Sequence, residues 1–346
     1  MQNKWDVNKP KPRLFLTGGS GYVGRNLIRH FIAKGFEVVA LARSERSLQI
    51  VKTLGAVPFA GDLLDVGLVE GMKRCQTLIN AAADTDHGRG KAQHYRTNLG
   101  GTRNVFQSAR TAGISRAVHI STESVLLDGG PLINATEDHP FPHRPAGAYS
   151  RTKGEAERIA LSFASQDLAV VVLRPRFIWG RDDTKALPQI AAAAKAGKLA
   201  WIDGGHYLTS TTHIANVCEG VALALNKGRS GETYFVTDGV PIQFRSFITS
   251  LLETQGIVAP AKSVPRWMMR GVATIGDFLD GLSGGRIKPL ISRQVFATIA
   301  FEVTLDITKA RDQLGYHPVI TMDEGMSELK AQCLSLDGPE KRIIGD

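Results

Sequence analysis

Tyr149 and Lys153 stand four residues apart in Tyr149-Ser150-Arg151-Thr152-Lys153, which on a helix puts both side chains on one face. A free tyrosine titrates near ~10, too high for acid–base work at neutral pH. A nearby ammonium favours the phenolate and lowers that value. The pair therefore reads as a proton-transfer centre, and the lysine can also donate to hydroxyls of a bound ligand. A core tyrosine beside a solvated lysine has the same spacing. Ser121 and Thr122 end the apolar run Arg116–Ser121. A hydroxyl at the carboxyl end of a strand can donate to a carbonyl oxygen as negative charge develops on it.

Residues 17–24 read Thr-Gly-Gly-Ser-Gly-Tyr-Val-Gly. They follow a short apolar run, Arg13–Thr17, and open a helical stripe of Val23, Leu27 and Phe31. A glycine-rich turn between strand and helix brings backbone N–H groups and the helix N-terminus to a pyrophosphate. Gly18, Gly19, Ser20, Gly21, Tyr22 and Val23 are the expected cradle. The second strand ends in Leu41-Ala42-Arg43-Ser44. A carboxylate at this point selects the ribose hydroxyl of NAD, whereas Arg43 can pair with a 2′-phosphate. NADP(H) is therefore favoured and NAD(H) is the alternative, with Glu45 close enough to compete. Asp62, followed by Leu63, either bonds the adenine amino group or caps its own loop.

These groups need a scaffold. Strands are expected at Arg13–Thr17, Phe36–Leu41, Ala56–Ala60, Thr77–Ala82, Arg116–Ser121 and Leu168–Arg174, with helices between them, among them Asn98–Thr111 and Tyr149–Ser165. Strands alternating with helices imply right-handed crossovers and a parallel sheet covered on both faces. The fold class is α/β: a doubly wound Rossmann-type domain over 13–180 after a basic arm at 1–12. A smaller, mostly helical substrate-capping region follows over 181–346, with a strand near 232–237 returning to the main sheet. Its helices are expected at Leu187–Ala196, around Ile214–Leu225, and at Phe244–Gln255, Pro265–Leu282, Thr308–Leu314 and Met322–Cys333. Pro265–Leu282 carries Arg266 and Arg270 with Trp267, Met268, Met269 and Ile275, and reads as a packed cap helix. A membrane-surface or pocket-closing helix is the alternative.

Composition bounds the rest. The 346 residues are 43% apolar and 22% charged, which excludes a disordered chain. No apolar run approaches the ~20 residues of a membrane span, and Met1–Pro12 is too polar for a secretory signal. The odd, scattered Cys75, Cys218 and Cys333 fit a reducing compartment, the cytoplasm. The formal charge of +9 favours anionic ligands, but its basic residues are dispersed and no nucleic-acid motif accompanies them. His87, His119, His206 and His213 lack metal-ligand spacing. Asp84, Asp86 and His87 read as a polar loop beside the site, so no metal is expected.

The chain resembles the extended short-chain dehydrogenases/reductases. The residues that carry the resemblance are TGGSGYVG at 17–24, NAAA at 80–83, NLGGTRNV at 98–105, STESV at 121–125, YSRTK at 149–153 and LRPRFIWG at 173–180. GGPLINATEDHP, THIANVCEGVALAL at 212–225, GETYFVTDG at 231–239 and LDITKARDQLGYHP at 305–318 point to the 3β-hydroxysteroid dehydrogenase/isomerase-like branch. The resemblance implies Tyr149 as acid–base, Lys153 as its partner and Thr122 as the hydroxyl that polarises the substrate oxygen. Asn98 resembles a proton-relay asparagine, with a helix N-cap as its alternative. The resemblance further implies that Ala81, Ala82 and Ala83 line the cofactor, that Arg174-Pro175 lies beside the nicotinamide, and that a homodimer forms through the helices of Asn98 and Tyr149.

Two departures bear on substrate. Sugar-nucleotide dehydratases in this group resemble one another in a Thr-Asp-Glu triplet, where this chain has Thr122-Glu123-Ser124. Sugar-nucleotide enzymes also often carry a diphosphate-binding arginine where this chain reads Thr209-Ser210-Thr211-Thr212-His213, with Arg181, Lys185 or Arg286 as the alternative partners for a diphosphate. With Phe177, Trp179, Trp201, Tyr207 and Phe278 in the capping region, the expected activity is hydride transfer to or from a largely apolar, steroid-like or alicyclic alcohol or ketone. A nucleotide-sugar epimerase or dehydratase is the rival, and a non-catalytic NAD(P)-sensing regulator the reading from another class.

Overall fold

The computed structural model describes residues 11–84, 95–283, 286 and 289–336. Seven parallel strands form the central sheet: β1 Arg13–Thr17, β2 Glu37–Ala42, β3 Val57–Ala60, β4 Thr77–Asn80, β5 Arg116–Ile120, β6 Ala169–Pro175 and β7 Thr233–Val236. Their order is β7-β6-β5-β4-β1-β2-β3. Connections leave β1 toward one edge and resume at β4 toward the other. The crevice at the carboxyl ends of β1 and β4 is therefore the switch point at which open α/β sheets bind ligands. The apolar residues of β1, β5 and β6 are buried nearly throughout because both sheet faces are covered.

On one face, α1 (Tyr22–Ala33) packs Leu27, Ile28 and Phe31 against the sheet, and α2 (Glu45–Thr53) adds Val51. On the other, α3 (Leu68–Met72), α4 (Thr102–Thr111) and α5 (Ala148–Leu161) contribute Leu68, Met72, Val105, Phe106 and Ala160. Each stripe recurs at three- and four-residue intervals, so the helices are held mainly by burial of one face.

The later helices are α6 (Ala186–Lys195), α7 (Ile214–Lys227), α8 (Phe244–Glu253), α9 (Arg266–Leu282), α10 (Arg293–Ile299), α11 (Thr308–Leu314) and α12 (Met322–Leu336). Helix α7 returns to the central sheet through Val217 and Val221. A separate core of Trp179, Leu187, Trp201, Phe247 and Leu251 joins α6 and α8. A four-stranded sheet links Ile242–Gln243, Leu208–Thr209, Val303–Leu305 and Leu132–Ala135, so a segment from the first half of the chain is pinned to the second.

Two expectations change. The helix expected over Asn98–Thr111 begins as a wide π turn, Tyr95–Gly101, and only then becomes α4. A Cβ on Gly101 would lie 3.0 Å from Leu63 Cβ, so this turn presses its backbone against the loop after β3. The packed cap helix is the second. In α9 Ala273 is the buried residue, whereas Trp267, Ile275, Phe278 and Leu282 are 75%, 61%, 65% and 71% exposed. The segment is helical, but its apolar stripe faces outward.

Candidate active site

The loop after β1 is shaped by steric demand. Gly18 sits at φ +73°, and a Cβ there would come within 2.9 Å of the Ala82 nitrogen. A Cβ on Gly24 would lie 2.0 Å from the Gly18 oxygen, so α1 can start this close to the turn only with glycine. Thr17 Oγ1 donates to Asn80 Oδ1 at 2.6 Å and accepts from the Ala82 N–H at 3.1 Å, which ties Ala81–Ala83 to the glycine turn. Gly21 is the N-cap of α1 and supplies no side chain to the first amides. Helix-start N–H groups have no intrahelical partner, so the Tyr22 and Val23 end of α1 fits a pyrophosphate. The Tyr22 side chain turns inward and is buried.

At the far side of the crevice Arg43 is 75% exposed, with Nη1 4.0 Å from Asp62 Oδ2. Asp62 accepts from the Leu64 N–H at 3.1 Å, so it caps its own loop. Asn104 Nδ2 donates to the Leu63 and Asp65 carbonyls at 2.8 and 2.9 Å and fastens that loop to α4. Ser44 caps α2 by accepting from the Ser47 N–H. Asp86, His87 and the arm through residue 10 lie outside the described residues.

Tyr149 and Lys153 lie on α5, at the end of β5. Lys153 is 3% exposed, and its Nζ donates to the Ile120 carbonyl at 2.7 Å. Burial lowers the lysine to about 8, against the opposing influence of Glu157. His119 is buried between Asn80 and Phe106; burial and then Lys153 hold it well below its ordinary value, hence neutral. Tyr149 reaches Thr122, but its phenol is raised rather than lowered, by burial first and by the Glu123 carboxylate second; the Thr122 hydrogen bond opposes both. The expected lowering of the phenol is therefore not what the protein alone produces: burial is the largest influence, and the ammonium is committed to a carbonyl.

Thr122 also differs from expectation. Its Oγ1 donates to Glu123 Oε2 at 2.9 Å and accepts from the Ser124 N–H at 3.1 Å. A hydroxyl has one proton, so here it is not aimed at a substrate oxygen. Glu123 is buried and receives Arg176 Nη1 at 2.5 Å on its other oxygen. Arg176, 1% exposed, donates further to Thr209 Oγ1 and to the Thr298 carbonyl. Neither Glu123 nor Arg176 was expected among the site residues. The signal was a charged pair, one partner in STESV and one in LRPRFIWG, at two strand ends that adjoin in the sheet.

Arg174 is corrected as well. Its guanidinium forms a buried fork with Glu157, Nε to Oε2 at 3.0 Å and Nη2 to Oε1 at 2.5 Å, while Ser121 Oγ donates to the same carboxylate at 2.6 Å. The side chain is thus engaged within the protein, and Arg174 and Pro175 pair with Phe235 and Val236 of β7. Asn98 is no N-cap: inside the π turn its Oδ1 accepts from the Asp84 N–H at 2.8 Å and its Nδ2 donates to Thr152 Oγ1 at 3.1 Å. It clamps the loop after β4 to the helix of Tyr149. Phe177, just past Arg176, is held at φ 41°, a strained conformation for a bulky side chain at the edge of the site.

Comparison with known proteins bears on this geometry. A model of the 3-beta hydroxysteroid dehydrogenase/isomerase family matches residues 15–266. The 4-hydroxy-2-methyl-3-oxo-4-farnesyl-3,4-dihydroquinoline-1-oxide ketoreductase of Stigmatella aurantiaca is 46% identical over 319 residues, covering 92% of this chain and 96% of that protein. The decarboxylating sterol-4-alpha-carboxylate 3-dehydrogenase of Dictyostelium discoideum is 31% identical, over 91% of this chain and 99% of that one. Among solved structures, a dTDP-glucose 4,6-dehydratase from Streptomyces venezuelae, with NAD bound, superposes with a TM-score of 0.73 at 23% identity, covering 93% and 97% of the two chains. That likeness is one of fold.

Proposed function

The chain belongs to the 3-beta hydroxysteroid dehydrogenase/isomerase family, and from that premise we propose an NADP(H)-dependent oxidoreductase acting on a secondary alcohol or ketone of a largely apolar, alicyclic substrate. The observation that carries the reading is the meeting of Tyr149, Thr122 and Lys153 at the carboxyl end of β5, two strands from the glycine turn of β1. The substrates named for the two relatives, a farnesylated dihydroquinoline oxide and a sterol carboxylate, support the substrate class. Arg43, exposed at the end of β2, supports the choice of NADP(H).

When bound, the nicotinamide supplies or takes the hydride. Tyr149 holds the proton that goes to the substrate oxygen on reduction and receives it on oxidation. Lys153, one helical turn away, steadies the phenolate left after that transfer. The open amides of α1 hold the phosphates and Arg43 the 2′-phosphate. Asn98 keeps the loop after β4 and α5 in register.

The partner reading has two further parts. The outward stripe of α9 docks on an anionic lipid surface. Trp267, Val272, Ile275, Phe278, Leu279 and Leu282 are exposed on one arc, and the exposed charges from 262 to 293 among the described residues, Lys262, Arg270, Arg286 and Arg293, are all basic. A homodimer through α4 and α5 is the other part, with light scattering as its check.

The test adds NADPH or NADH with a panel of apolar ketones and alcohols and follows nicotinamide absorbance. Tyr149→Phe is expected to lower kcat by roughly 100-fold or more, the loss of a positioned acid–base group. Cofactor binding without turnover, and a Tyr149→Phe variant equal to wild type, would sink the enzyme reading.

A further inference from the structure

Helix α5 begins without a side-chain cap of its own. A helix start leaves its first N–H groups without intrahelical partners, and an N-cap side chain ordinarily accepts from the second or third of them. The N-cap of α5 is Gly147, which has no side chain, and Ala148, Tyr149 and Ser150 are its first three residues. The third N–H is satisfied from elsewhere: Gln294 Oε1, on α10, accepts from the Ser150 N–H at 3.1 Å. We propose that Gln294 is a positioning residue for the proton transfer, a cap supplied by the second half of the chain that sets where the first turn of α5, and with it Tyr149, stands. The inference rests on the reading of Tyr149 as the proton-transfer residue.

Gly147 is fitted to this contact. It is extended, at φ −167° and ψ −174°, a conformation open to any residue, so the backbone does not ask for glycine. Gln294 does. A Cβ at position 147 would lie 2.7 Å from Gln294 Oε1 and 3.0 Å from Gln294 Cβ. A serine or aspartate at the N-cap would bring the same Cβ and push the remote cap off its N–H. Gln294 itself is 4% exposed, and its Nε2 has no hydrogen-bond partner among the described residues. A buried donor left unpaired opposes folding. The oxygen is the end in use, and it is used on α5.

Helix α10 is held firmly enough to act as a reference. Ser292 caps it by accepting from the Val295 N–H, and Asp277 of α9 accepts from the Arg293 N–H at 3.1 Å. Ala297 is buried in the core of the central sheet, and Phe296 in a core that includes Ala273 of α9. Two other ties on this end of α5 come from the first half of the chain: Asn98 Nδ2 donates to Thr152 Oγ1, and Lys153 Nζ to the Ile120 carbonyl. Both act on side chains farther along the helix. Gln294 acts on the backbone of the residue next to Tyr149. A reacting group displaced by ~1 Å can lose on the order of 100-fold in rate. The cap therefore bears on kcat, while the cofactor cradle at the glycine turn of β1 is untouched by it.

The experiment has one arm without substrate and one with. Hydrogen–deuterium exchange resolved to the Ser150 amide reads the cap directly. In Gln294→Ala that amide is expected to exchange roughly fivefold faster or more, the worth of one hydrogen bond. The second arm follows nicotinamide absorbance with a ketone that the wild-type protein reduces, with kcat counted per folded molecule by circular dichroism. Gln294→Ala is expected to lower kcat roughly tenfold or more and to leave NADPH affinity within about twofold. Gln294→Glu offers the same acceptor and suits a helix start, so it is expected to keep most of the protection and of kcat. Gly147→Ala reaches the contact from the other side with α10 unaltered, and is expected to reproduce Gln294→Ala in both arms. The two substitutions remove one shared contact, so Gly147→Ala/Gln294→Ala should be no worse than either alone. Should Gln294→Ala fail to fold, Gly147→Ala carries the same test. Tyr149→Phe, run alongside, isolates the premise: equality with wild type removes the proton-transfer reading, while the exchange arm still reports on the cap. An unchanged Ser150 amide, an unchanged kcat in a folded variant, losses that add in the double variant, or a Gln294→Glu protein as impaired as Gln294→Ala overturns the proposal.

Discussion

Arg43 and Arg176 show how one residue type takes opposite roles by location. Arg176 is enclosed, and its charge is matched by a carboxylate; removing one partner of such a pair costs about 3–5 kcal/mol through the charge left behind. Arg43 is exposed with a distant, weak neighbour at 4.0 Å, so little is lost from the folded state when it is removed. Arg43→Ala is therefore expected to leave the melting temperature nearly unchanged and to weaken NADPH binding roughly tenfold or more, the value of a lost charge-assisted hydrogen bond. NADH binding should be almost unaffected. Cofactor fluorescence titration reads both, and NADH binding tighter than NADPH in wild type would reverse the cofactor choice.

At the scale of elements, the first βα unit is the least tolerant part of the site. The Gly18 carbonyl occupies the space a Gly24 side chain would need, so Gly24→Ala must push α1 off the turn. The expected cost is about 1–3 kcal/mol of stability from overpacking, together with loss of cofactor binding, because the same displacement moves the amides of Tyr22 and Val23. Gly113, at φ +77° with open space around it, is the contrast. Gly113→Ala should cost stability through backbone strain while cofactor affinity is kept. Thermal melts and cofactor titration of the two variants separate these outcomes. The π turn at Tyr95–Gly101 belongs to the same scale. Asn98 reaches both Asp84 and Thr152 because the turn is widened, and a regular helix would rotate the side chain away.

For the molecule as a whole, α9 joins the surface to the site. It packs on α10, and α10 supplies Gln294 to the first turn of the Tyr149 helix. A helix lying on lipid at this point would leave the capping region facing the phase in which an apolar ketone dissolves. The check is Trp267, which is 75% exposed while Trp179 and Trp201 are buried. Vesicles containing phosphatidylglycerol should shift its emission to the blue. The shift should vanish in Trp267→Phe, in Ile275→Asp/Phe278→Asp, and with phosphatidylcholine alone at high salt. A stripe that instead closes a contact between two copies would shift the emission with protein concentration and without vesicles.

Local pattern was enough for the architecture and for the glycine cradle. The alternation of apolar strands and striped helices carries its own period, and a dinucleotide turn is a contiguous stretch whose glycines answer to their immediate neighbours. That Tyr149 and Lys153 share one helix was legible for the same reason, the two being one turn apart. The hydrogen bonding of the site was not, because it joins residues from different strand ends. Glu123 meets Arg176 across fifty-three positions, Thr122 turns to that carboxylate, and Arg174 turns away to Glu157. The direction in which α9 presents its apolar arc was equally hidden: a helical period fixes which residues share a face, and only the packing of the rest of the chain decides whether that face meets protein or solvent.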